Sequence, residues 1–213
     1  MTSPDPVASP VVHIIDDDED LRASLVFLFE SVGIEALTYP DATSFVDEFD
    51  PDEPAVVIVD VRMPGMNGFQ LQQLLLERQY PAPMIFCSAH GDIPMSVRAL
   101  NNGAVDFLEK PYDHQRMIDV VQTQLEQARV RFGESRQRRE LAERLGTLTA
   151  REREVLALVI RGLSSRAIAR ELGASAKTID VHRARIKSKT EAETLAVLVR
   201  DILVMGVEIG PTA

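Results

Sequence analysis

The 213-residue sequence has few of the features that mark secreted or membrane-bound chains. It has a single cysteine, Cys87, so no internal disulfide can form and no cysteine-based metal site is available, which favours a reducing compartment. Residues 1–10 have neither a basic start nor an apolar centre, and we expect a flexible tail there rather than a signal peptide. The most apolar late stretch, Leu195 to Val207, is interrupted by Arg200 and Asp201 and does not predict a transmembrane helix. We therefore expect a cytoplasmic protein with no membrane partner.

Positive charge is scarce in the first half of the chain. Residues 1–112 contain 5 Lys and Arg against 19 Asp and Glu, whereas residues 113–213 contain 18 against 14. The segment 161–189 has 8 basic and 2 acidic residues, although the net charge of the whole chain is -10. This asymmetry predicts two modules with different partners. The hydrophobic content of 45% is enough for packed cores.

Short apolar runs alternate with longer amphipathic segments through the first 112 residues. Runs such as "VVHII" and "AVVIV" are apolar at nearly every position, as the strands of a parallel sheet covered on both faces must be. The alternation predicts an α/β fold with a doubly wound, five-stranded parallel sheet. The predicted strands are Val11 to Asp16, Ile34 to Tyr39, Val56 to Asp60, Met84 to Ser88 and Ala104 to Glu109. The predicted helices are Asp20 to Val32, Ala42 to Phe49, Phe69 to Arg78, Ile93 to Asn101 and a segment from Asp113 onward.

Polar residues follow four of these strands and are expected to meet at one edge of the sheet, where such folds bind ligands. Asp16 and Asp17 follow the first strand, Asp60 ends the third, Ser88 ends the fourth and Lys110 follows the fifth. Clustered carboxylates repel one another without a cation, and their oxygens suit a hard divalent metal such as Mg²⁺. A carboxylate on that metal, with a lysine and a hydroxyl nearby, can attack a phosphoryl group and hold the resulting acyl phosphate.

The rest of the chain is predicted to be all-α. We divide the sequence into a tail (1–10), an α/β domain (11–125), a partly helical linker (126–145) and a C-terminal helical domain (146–207). Gly133 and a dense run of charges mark the linker. The sequence after Leu148 contains no strand candidate.

The C-terminal domain is predicted to contain four short helices, three of which are marked by caps. Thr149 and Glu152 fit a capping box ahead of "REVLALVI". Ser164 and Ser175 can cap two helices that are joined by "GAS", which is the signal of a helix-turn-helix. A fourth helix is expected over about Ala192 to Met205.

The second helix of this pair, "AKTIDVHRARIK", has the pattern of an element that enters the major groove of DNA. On a wheel of 100° per residue, Ile179 and Ile186 share the side that is expected to be buried. The opposite side has short side chains at its centre and cations around it. Arg183, Lys187 and Lys189 lie nearer the flanks, where phosphate contacts are expected. The candidate DNA contacts are Lys177, Thr178, Asp180, Val181, Arg183, Ala184, Arg185 and Lys187.

Ordered motifs give the sequence a resemblance to a known family. The segments "IIDDDE", "VIVDVRMPGMNG", "FCSAHGD" and "GAVDFLEKPY" resemble the receiver domain of two-component response regulators. The segment "LTAREREVLALVIRGLSSRAIARELGASAKTIDVHRARIKSK" resembles the LuxR-type helix-turn-helix. From Val11 to about Met205 the chain is similar to the FixJ/NarL family, and within it to the FixJ branch. The resemblance implies a flavodoxin-like receiver followed by a four-helix DNA-binding domain.

The family's phosphoacceptor and metal ligands fall on four positions of this sequence. The resemblance implies that Asp60 accepts the phosphoryl group. It further implies that Asp16, Asp17, Asp60 and the backbone carbonyl of Arg62 hold Mg²⁺.

The resemblance also implies how the phosphoryl group acts. Ser88 would hydrogen-bond a phosphoryl oxygen, Lys110 would pair with it, and Phe107 would be the aromatic residue that changes rotamer. The bond between Lys110 and Pro111 matches one that is usually cis in the family. In the DNA-binding half, Asp180 stands where some relatives carry a lysine. A carboxylate there can accept a hydrogen bond from cytosine N4 but repels phosphate.

A response regulator of transcription is the function that the resemblance implies. Its partners would be a histidine kinase, double-stranded DNA and, when phosphorylated, a second copy of the chain. Such a protein is not an enzyme beyond self-catalysed phosphotransfer and dephosphorylation.

Two other classes of protein remain open from the residues themselves. An aspartate-nucleophile phosphatase also uses Asp, Mg²⁺ and Lys, but it usually has a second acid two residues after the nucleophile, where this sequence has Arg62. Its nucleophile is also expected on an early strand, whereas Asp60 ends the third.

The second alternative is a receiver whose output is protein binding, which would use the C-terminal helices only for dimerisation. The positive charge of segment 161–189 argues against this alternative. Salt-sensitive binding to duplex DNA would separate this last class from a DNA-binding response regulator.

Overall fold

Five parallel strands form the central layer of the first part of the chain. The computed structural model describes residues 9–89 and 93–209, so most of the predicted tail lies outside the described residues. The strands are β1 (Val11–Ile15), β2 (Ala36–Tyr39), β3 (Ala55–Asp60), β4 (Met84–Ser88) and β5 (Asp106–Glu109). Their order across the sheet is β2-β1-β3-β4-β5, and every pairing is parallel. The doubly wound five-stranded sheet predicted from the sequence is confirmed.

The sheet is covered by helices because its inner strands are apolar on both faces. Every residue of β1, β3 and β4 is buried, whereas the edge strands β2 and β5 are partly exposed. The helices that alternate with the strands are α1 (Glu19–Glu30), α2 (Ala42–Glu48), α3 (Gly68–Glu77) and α4 (Ile93–Asn101).

Two predicted strands began two residues too early, for the same physical reason. The N–H of Ile34 donates to the carbonyl of Phe29 at 2.9 Å, and that of Ala104 donates to the carbonyl of Ala99 at 3.0 Å. Each bond closes the end of the preceding helix after a glycine with positive φ, at Gly33 and at Gly103. The apolar residues before β2 and β5 therefore belong to helix ends and turns, which an apolar pattern alone does not distinguish from a strand.

A single helix, α5 (His114–Gly146), contains the whole of the predicted linker. The described residues form two compact units that divide between Gly133 and Glu134, inside this helix. On the first side, Phe132 is buried in the core of the α/β unit, and its ring lies 5.4 Å from that of Tyr80. On the second side, Leu141 belongs to the core of the helical unit. The glycine inside a charged segment predicted a partly helical linker, whereas the structure has helix through all of residues 126–145.

The second unit is all-α. After α5 it contains α6 (Ala150–Ile160), α7 (Ser165–Glu171), α8 (Ala176–Lys189) and α9 (Leu195–Met205). The capping box of Thr149 and Glu152 and the caps of Ser164 and Ser175 are confirmed.

The last helix starts later than predicted because Thr194 caps it. The Oγ1 atom of Thr194 accepts a hydrogen bond from the N–H of Val197 at 3.1 Å, so α9 starts at Leu195 rather than near Ala192. In the part of the chain that the structure describes, no helix is long and apolar enough to cross a membrane.

A histidine is buried among aromatic rings at the centre of the sheet. His13 in β1 is 1% exposed, and its Nδ1 atom is hydrogen-bonded to the Tyr39 hydroxyl at 3.3 Å. Its ring also packs against Phe45, with centroids 5.1 Å apart. Burial lowers the pKa of His13 to about 4, so the imidazole is neutral in the folded protein at pH 7.

Replacing His13 tests how much its lowered pKa reduces folding stability as the pH falls. The unfolded chain binds a proton near pH 6.5 but the folded chain only near pH 4, so folding stability falls as pH drops through this window. Between pH 7 and pH 5.5 we expect His13 to cost the parent about 1 kcal/mol of unfolding free energy. In His13→Phe this contribution is absent. Urea unfolding of both proteins at the two pH values measures the difference, and an equal pH dependence would contradict it.

Candidate functional site

The carboxyl ends of three strands are joined by one lysine. Asp16 follows β1, Asp60 ends β3 and Lys110 follows β5. The Nζ atom of Lys110 lies 2.6 Å from Asp16 Oδ2 and 2.8 Å from Asp60 Oδ1. Both carboxylates are buried, with exposed fractions of 2% for Asp16 and 6% for Asp60. These three residues were predicted to meet, and the structure brings them into direct contact.

Burial and ion pairing act against each other in this group. Burial raises the pKa of Asp16, and the hydrogen bond from Lys110 opposes this effect. Burial also acts to lower the pKa of Lys110, but the hydrogen bonds to Asp16 and Asp60 outweigh it, so the pKa of the lysine is raised. Lys110 is therefore protonated at neutral pH. A single ammonium then pairs with two buried carboxylates. When both carboxylates are ionised, the three groups together carry an excess of negative charge.

Main-chain hydrogen bonds fix the two carboxylates further. Asp60 Oδ2 accepts from the N–H of Arg62 at 2.5 Å, and Asp16 Oδ1 accepts from the N–H of Asp18 at 3.0 Å. The guanidinium of Arg22 donates to the backbone carbonyl of Asp16 at 2.6 Å. Arg22 was not predicted as part of the site, because a bond to a main-chain atom leaves no signature in the sequence.

Three other predicted residues lie around this group. Ser88 is 2% exposed at the end of β4, and its carbonyl accepts from the N–H of Lys110 at 2.8 Å. Phe107 is half-buried in β5, and its ring stacks on Phe86 with centroids 6.4 Å apart. Asp17 is exposed to solvent. The peptide bond between Lys110 and Pro111 is cis, as the family resemblance implied.

The donor set of this site suits a hard divalent cation. Over residues 9–89 and 93–209, no three Asp, Glu, His or Cys side chains are grouped so that they could hold a metal. The reason lies in the contacts above: Lys110 stands between Asp16 and Asp60, and Asp17 is directed to solvent. The buried carboxylates nevertheless carry more negative charge than one lysine neutralises. The chemistry of the residues therefore fits Mg²⁺, which prefers carboxylate and carbonyl oxygens.

The only cysteine lies beside the site without taking part in it. Cys87 is fully buried in β4, and its carbonyl accepts from the N–H of Val61 at 3.1 Å. Burial raises the pKa of the thiol, so it is protonated at neutral pH. Its role here is to pack the core and pair β4 with β3.

A glycine allows α3 to start directly against the end of β3. The N–H of Gly68 donates to the carbonyl of Val61 at 3.1 Å. A Cβ atom on Gly68 would lie 2.5 Å from the carbonyl oxygen of Asp60 and 3.0 Å from Phe86 Cε1. Because the first of these atoms belongs to the backbone, it cannot move aside easily.

The predicted DNA-reading helix is α8, and its two faces differ as expected. Ile179 and Ile186 are fully buried in the core of the helical unit. All candidate contacts are exposed except Arg183, which is half-buried. The exposed ones are Lys177, Thr178, Asp180, Val181, Ala184, Arg185 and Lys187.

Lys189, which we placed with the phosphate contacts at the flank, has a structural partner. Its Nζ atom lies 2.7 Å from Glu152 Oε2, and the Glu152 side chain is 3% exposed. Burial acts to raise the pKa of Glu152, but hydrogen bonds from Lys189 and Thr149 outweigh it and lower the pKa. This pair attaches the last turn of α8 to the first turn of α6. The helix wheel did not predict this pair, because it gives the direction of a side chain but not what is packed there.

Comparison with protein families assigns each of the two units to a known domain. Residues 12–122 match the response regulator receiver domain, and residues 146–201 match the bacterial regulatory proteins of the luxR family. The chain is therefore a response regulator in which a receiver domain is followed by a LuxR-type DNA-binding domain.

Individual relatives place the chain with the FixJ-type transcriptional regulators. It is 39% identical to the transcriptional regulatory protein FixJ of Azorhizobium caulinodans, over 92% of this chain and 93% of that one. It is also 39% identical to the C4-dicarboxylate transport regulator DctR of Rhodobacter capsulatus, over 89% and 97% of the two chains. Among solved structures, the response regulator StyR matches with a TM-score of 0.73 and 38% identity, over 92% of this chain and 100% of that one. Full-length FixJ from B. japonicum matches with a TM-score of 0.52 and 36% identity, over 94% and 98%.

Substitution of Gly68 tests the close approach at the end of β3. We expect Gly68→Ala to lower the unfolding free energy of the receiver by about 1–3 kcal/mol, because the new methyl group meets backbone atoms. The matched control is Gly133→Ala, where no heavy atom lies within 4 Å of the added Cβ. That change is expected to leave stability unchanged or to raise it by up to about 1 kcal/mol. Urea denaturation followed by circular dichroism measures both, and equal effects would contradict the packing argument.

Proposed function

We propose that Asp60 accepts a phosphoryl group from a histidine kinase and that this reaction controls the binding of α8 to DNA. The observation that carries the proposal is the contact of Lys110 with Asp16 and Asp60 at one edge of the sheet. A lysine in this place can hydrogen-bond the carboxylate and then the phosphoryl oxygens as negative charge develops on them, because its ammonium has three N–H donors. We place this protein in the cytoplasm, where its single thiol stays reduced.

The reaction is a displacement at phosphorus. An oxygen of Asp60 forms the new P–O bond, and the P–N bond to the kinase imidazole breaks, with its electron pair returning to the nitrogen. Lys110 and the Ser88 hydroxyl stabilise the phosphoryl oxygens. Asp16, Asp17, Asp60 and the carbonyl of Arg62 would hold Mg²⁺, which would supply further charge neutralisation. The same groups support attack by water on the acyl phosphate, which is the self-catalysed dephosphorylation.

The phosphoryl group changes the balance of charge that holds the site. It raises the charge at Asp60 from one negative unit to about two and adds acceptor oxygens that attract Ser88 and Lys110. Movement of these residues, which lie on β4 and directly after β5, lets the half-buried ring of Phe107 change its rotamer.

An apolar stripe on α4 supports dimerisation of the phosphorylated chain. Ile93, Val97 and Leu100 are 80%, 49% and 46% exposed and lie four and three residues apart, so they share one face of the helix. An apolar face of this kind is favourable to bury against a second copy. Two copies would present two α8 helices to inverted DNA half-sites about one helical turn apart.

The charge of α8 supports DNA as the partner of the second unit. Three of its exposed candidate contacts are cationic, namely Lys177, Arg185 and Lys187, and its N-terminal end is fixed by the Ser175 cap. Cations of this kind attract the phosphate backbone, and the shorter residues between them leave room for base edges.

Loss of the carboxylate at position 60 tests the phosphoacceptor. Asp60→Asn keeps the size of the side chain but removes the nucleophilic charge, so phosphotransfer from a labelled kinase or small phosphodonor is expected to stop. The parent protein should become dimeric in sedimentation experiments with donor and Mg²⁺, whereas the variant should not. Asp106→Asn, at a half-buried carboxylate of the edge strand β5 that pairs with Arg116, is the control and should be labelled like the parent. Labelling that persists in Asp60→Asn would refute the assignment.

Replacement of outward residues on α8 tests the DNA interface. We expect each of Lys177→Ala and Arg185→Ala to weaken operator binding about 10- to 100-fold, as is typical for lost contacts to DNA, with phosphorylation unchanged. Arg200→Ala on α9 removes the same charge from a residue that pairs with Asp201, and it should bind like the parent. Fluorescence anisotropy with labelled duplexes measures the affinities. Undiminished binding by both α8 variants would exclude this helix as the reading element.

A further inference from the structure

We propose that Asp180 selects a cytosine in each DNA half-site by accepting a hydrogen bond from its N4 amino group in the major groove. This inference rests on the proposed function of α8 as the helix that reads DNA. It assigns one specificity-determining residue and the base that this residue recognises.

The carboxylate of Asp180 is exposed and unpaired. Within the described residues it takes part in no ion pair or hydrogen bond. Lys177 and Arg183 lie three positions before and after it, at a spacing where helical ion pairs can form. Neither of them pairs with Asp180. The folded protein therefore leaves this acceptor available for an external donor.

Asp180 is placed where a reading helix meets base edges. It is the fifth residue of α8, in the N-terminal half that contacts bases in helix-turn-helix proteins. The preceding residue, Ile179, is fully buried in the core of the helical unit. At the two ends of the helix, Ser175 caps the first turn and Lys189 pairs with Glu152. The backbone that carries Asp180 is thus held at both ends, as accurate recognition requires.

The chemistry of a carboxylate favours cytosine over the other bases. An ionised carboxylate only accepts hydrogen bonds, and in the major groove only cytosine N4 and adenine N6 donate them. Adenine presents N7, an acceptor, beside its amino group, which repels the second carboxylate oxygen. Guanine O6 and N7, thymine O4 and the phosphates are all acceptors. Asp180 therefore penalises wrong bases and non-specific contacts as well as favouring cytosine.

Selection of binding sites from a random duplex library, with the full chain and a phosphodonor, tests the proposal. The parent is expected to select one cytosine in each half-site, with other bases disfavoured about tenfold or more. Asp180→Ala should lose the preference at that position but keep the rest of the motif. Asp180→Asn should change it to adenine, because an amide can bond to both N6 and N7 of adenine. Glu193→Gln, a change of equal charge at an exposed residue outside the helices, should select the same motif as the parent.

The outcomes separate this inference from the proposed function. If the parent selects no motif at all, DNA reading by α8 fails and the inference fails with it. If the parent selects a motif that Asp180→Ala selects unchanged, DNA reading stands and the role of Asp180 is overturned. A loss of the preference in Glu193→Gln as well would overturn it too, since a general charge effect would then explain the change. Thermal unfolding of the three variants, followed by circular dichroism, checks that each one is folded.

Discussion

The receiver depends on one ammonium group placed between two buried carboxylates. Without Lys110, the burial of Asp16 and Asp60 a few ångströms apart would combine desolvation with mutual repulsion. The same interaction brings the ends of β1, β3 and β5 to one point. The neutralisation of charge is incomplete, because the one positive charge of Lys110 does not balance the two negative charges of ionised Asp16 and Asp60. The ion pair that allows Asp16 and Asp60 to be buried therefore also leaves the site with an excess of negative charge when both are ionised.

The helical unit is held together in a different way. Its short helices obtain their ends from side-chain caps, and among the described residues of this unit Glu152 is the one buried carboxylate. Glu152 accepts from the N–H of Thr149 at 2.9 Å and pairs with Lys189, so a single side chain caps α6 and fixes α8. The residues on the outer face of α8, such as Lys177 and Arg185, are exposed to solvent.

Patterns that depend on neighbours along the chain were readable from the sequence, and so was the meeting of Asp16, Asp60 and Lys110 at one edge of the sheet, but other side-chain contacts were not. The inner strands of the sheet and the caps at Ser164 and Ser175 follow from local periodicity and capping chemistry. The bonds of Arg22 to a backbone carbonyl and of Lys189 to Glu152 have no sequence pattern, because any long cation on the right side of a helix could make them. The continuity of α5 through Gly133 was also missed. A glycine costs a helix only about 1 kcal/mol, which the flanking buried residues can offset.

The burial of Cys87 has a practical consequence for experiments. Its thiol is enclosed by the core and remains protonated, so it reacts slowly with alkylating reagents and oxidants. The chain also lacks tryptophan. A cysteine introduced on the surface would be the only thiol that a probe reaches in the folded protein, and an introduced tryptophan would be the only indole fluorophore. A single cysteine or tryptophan label can therefore report the state of either unit without removal of native residues.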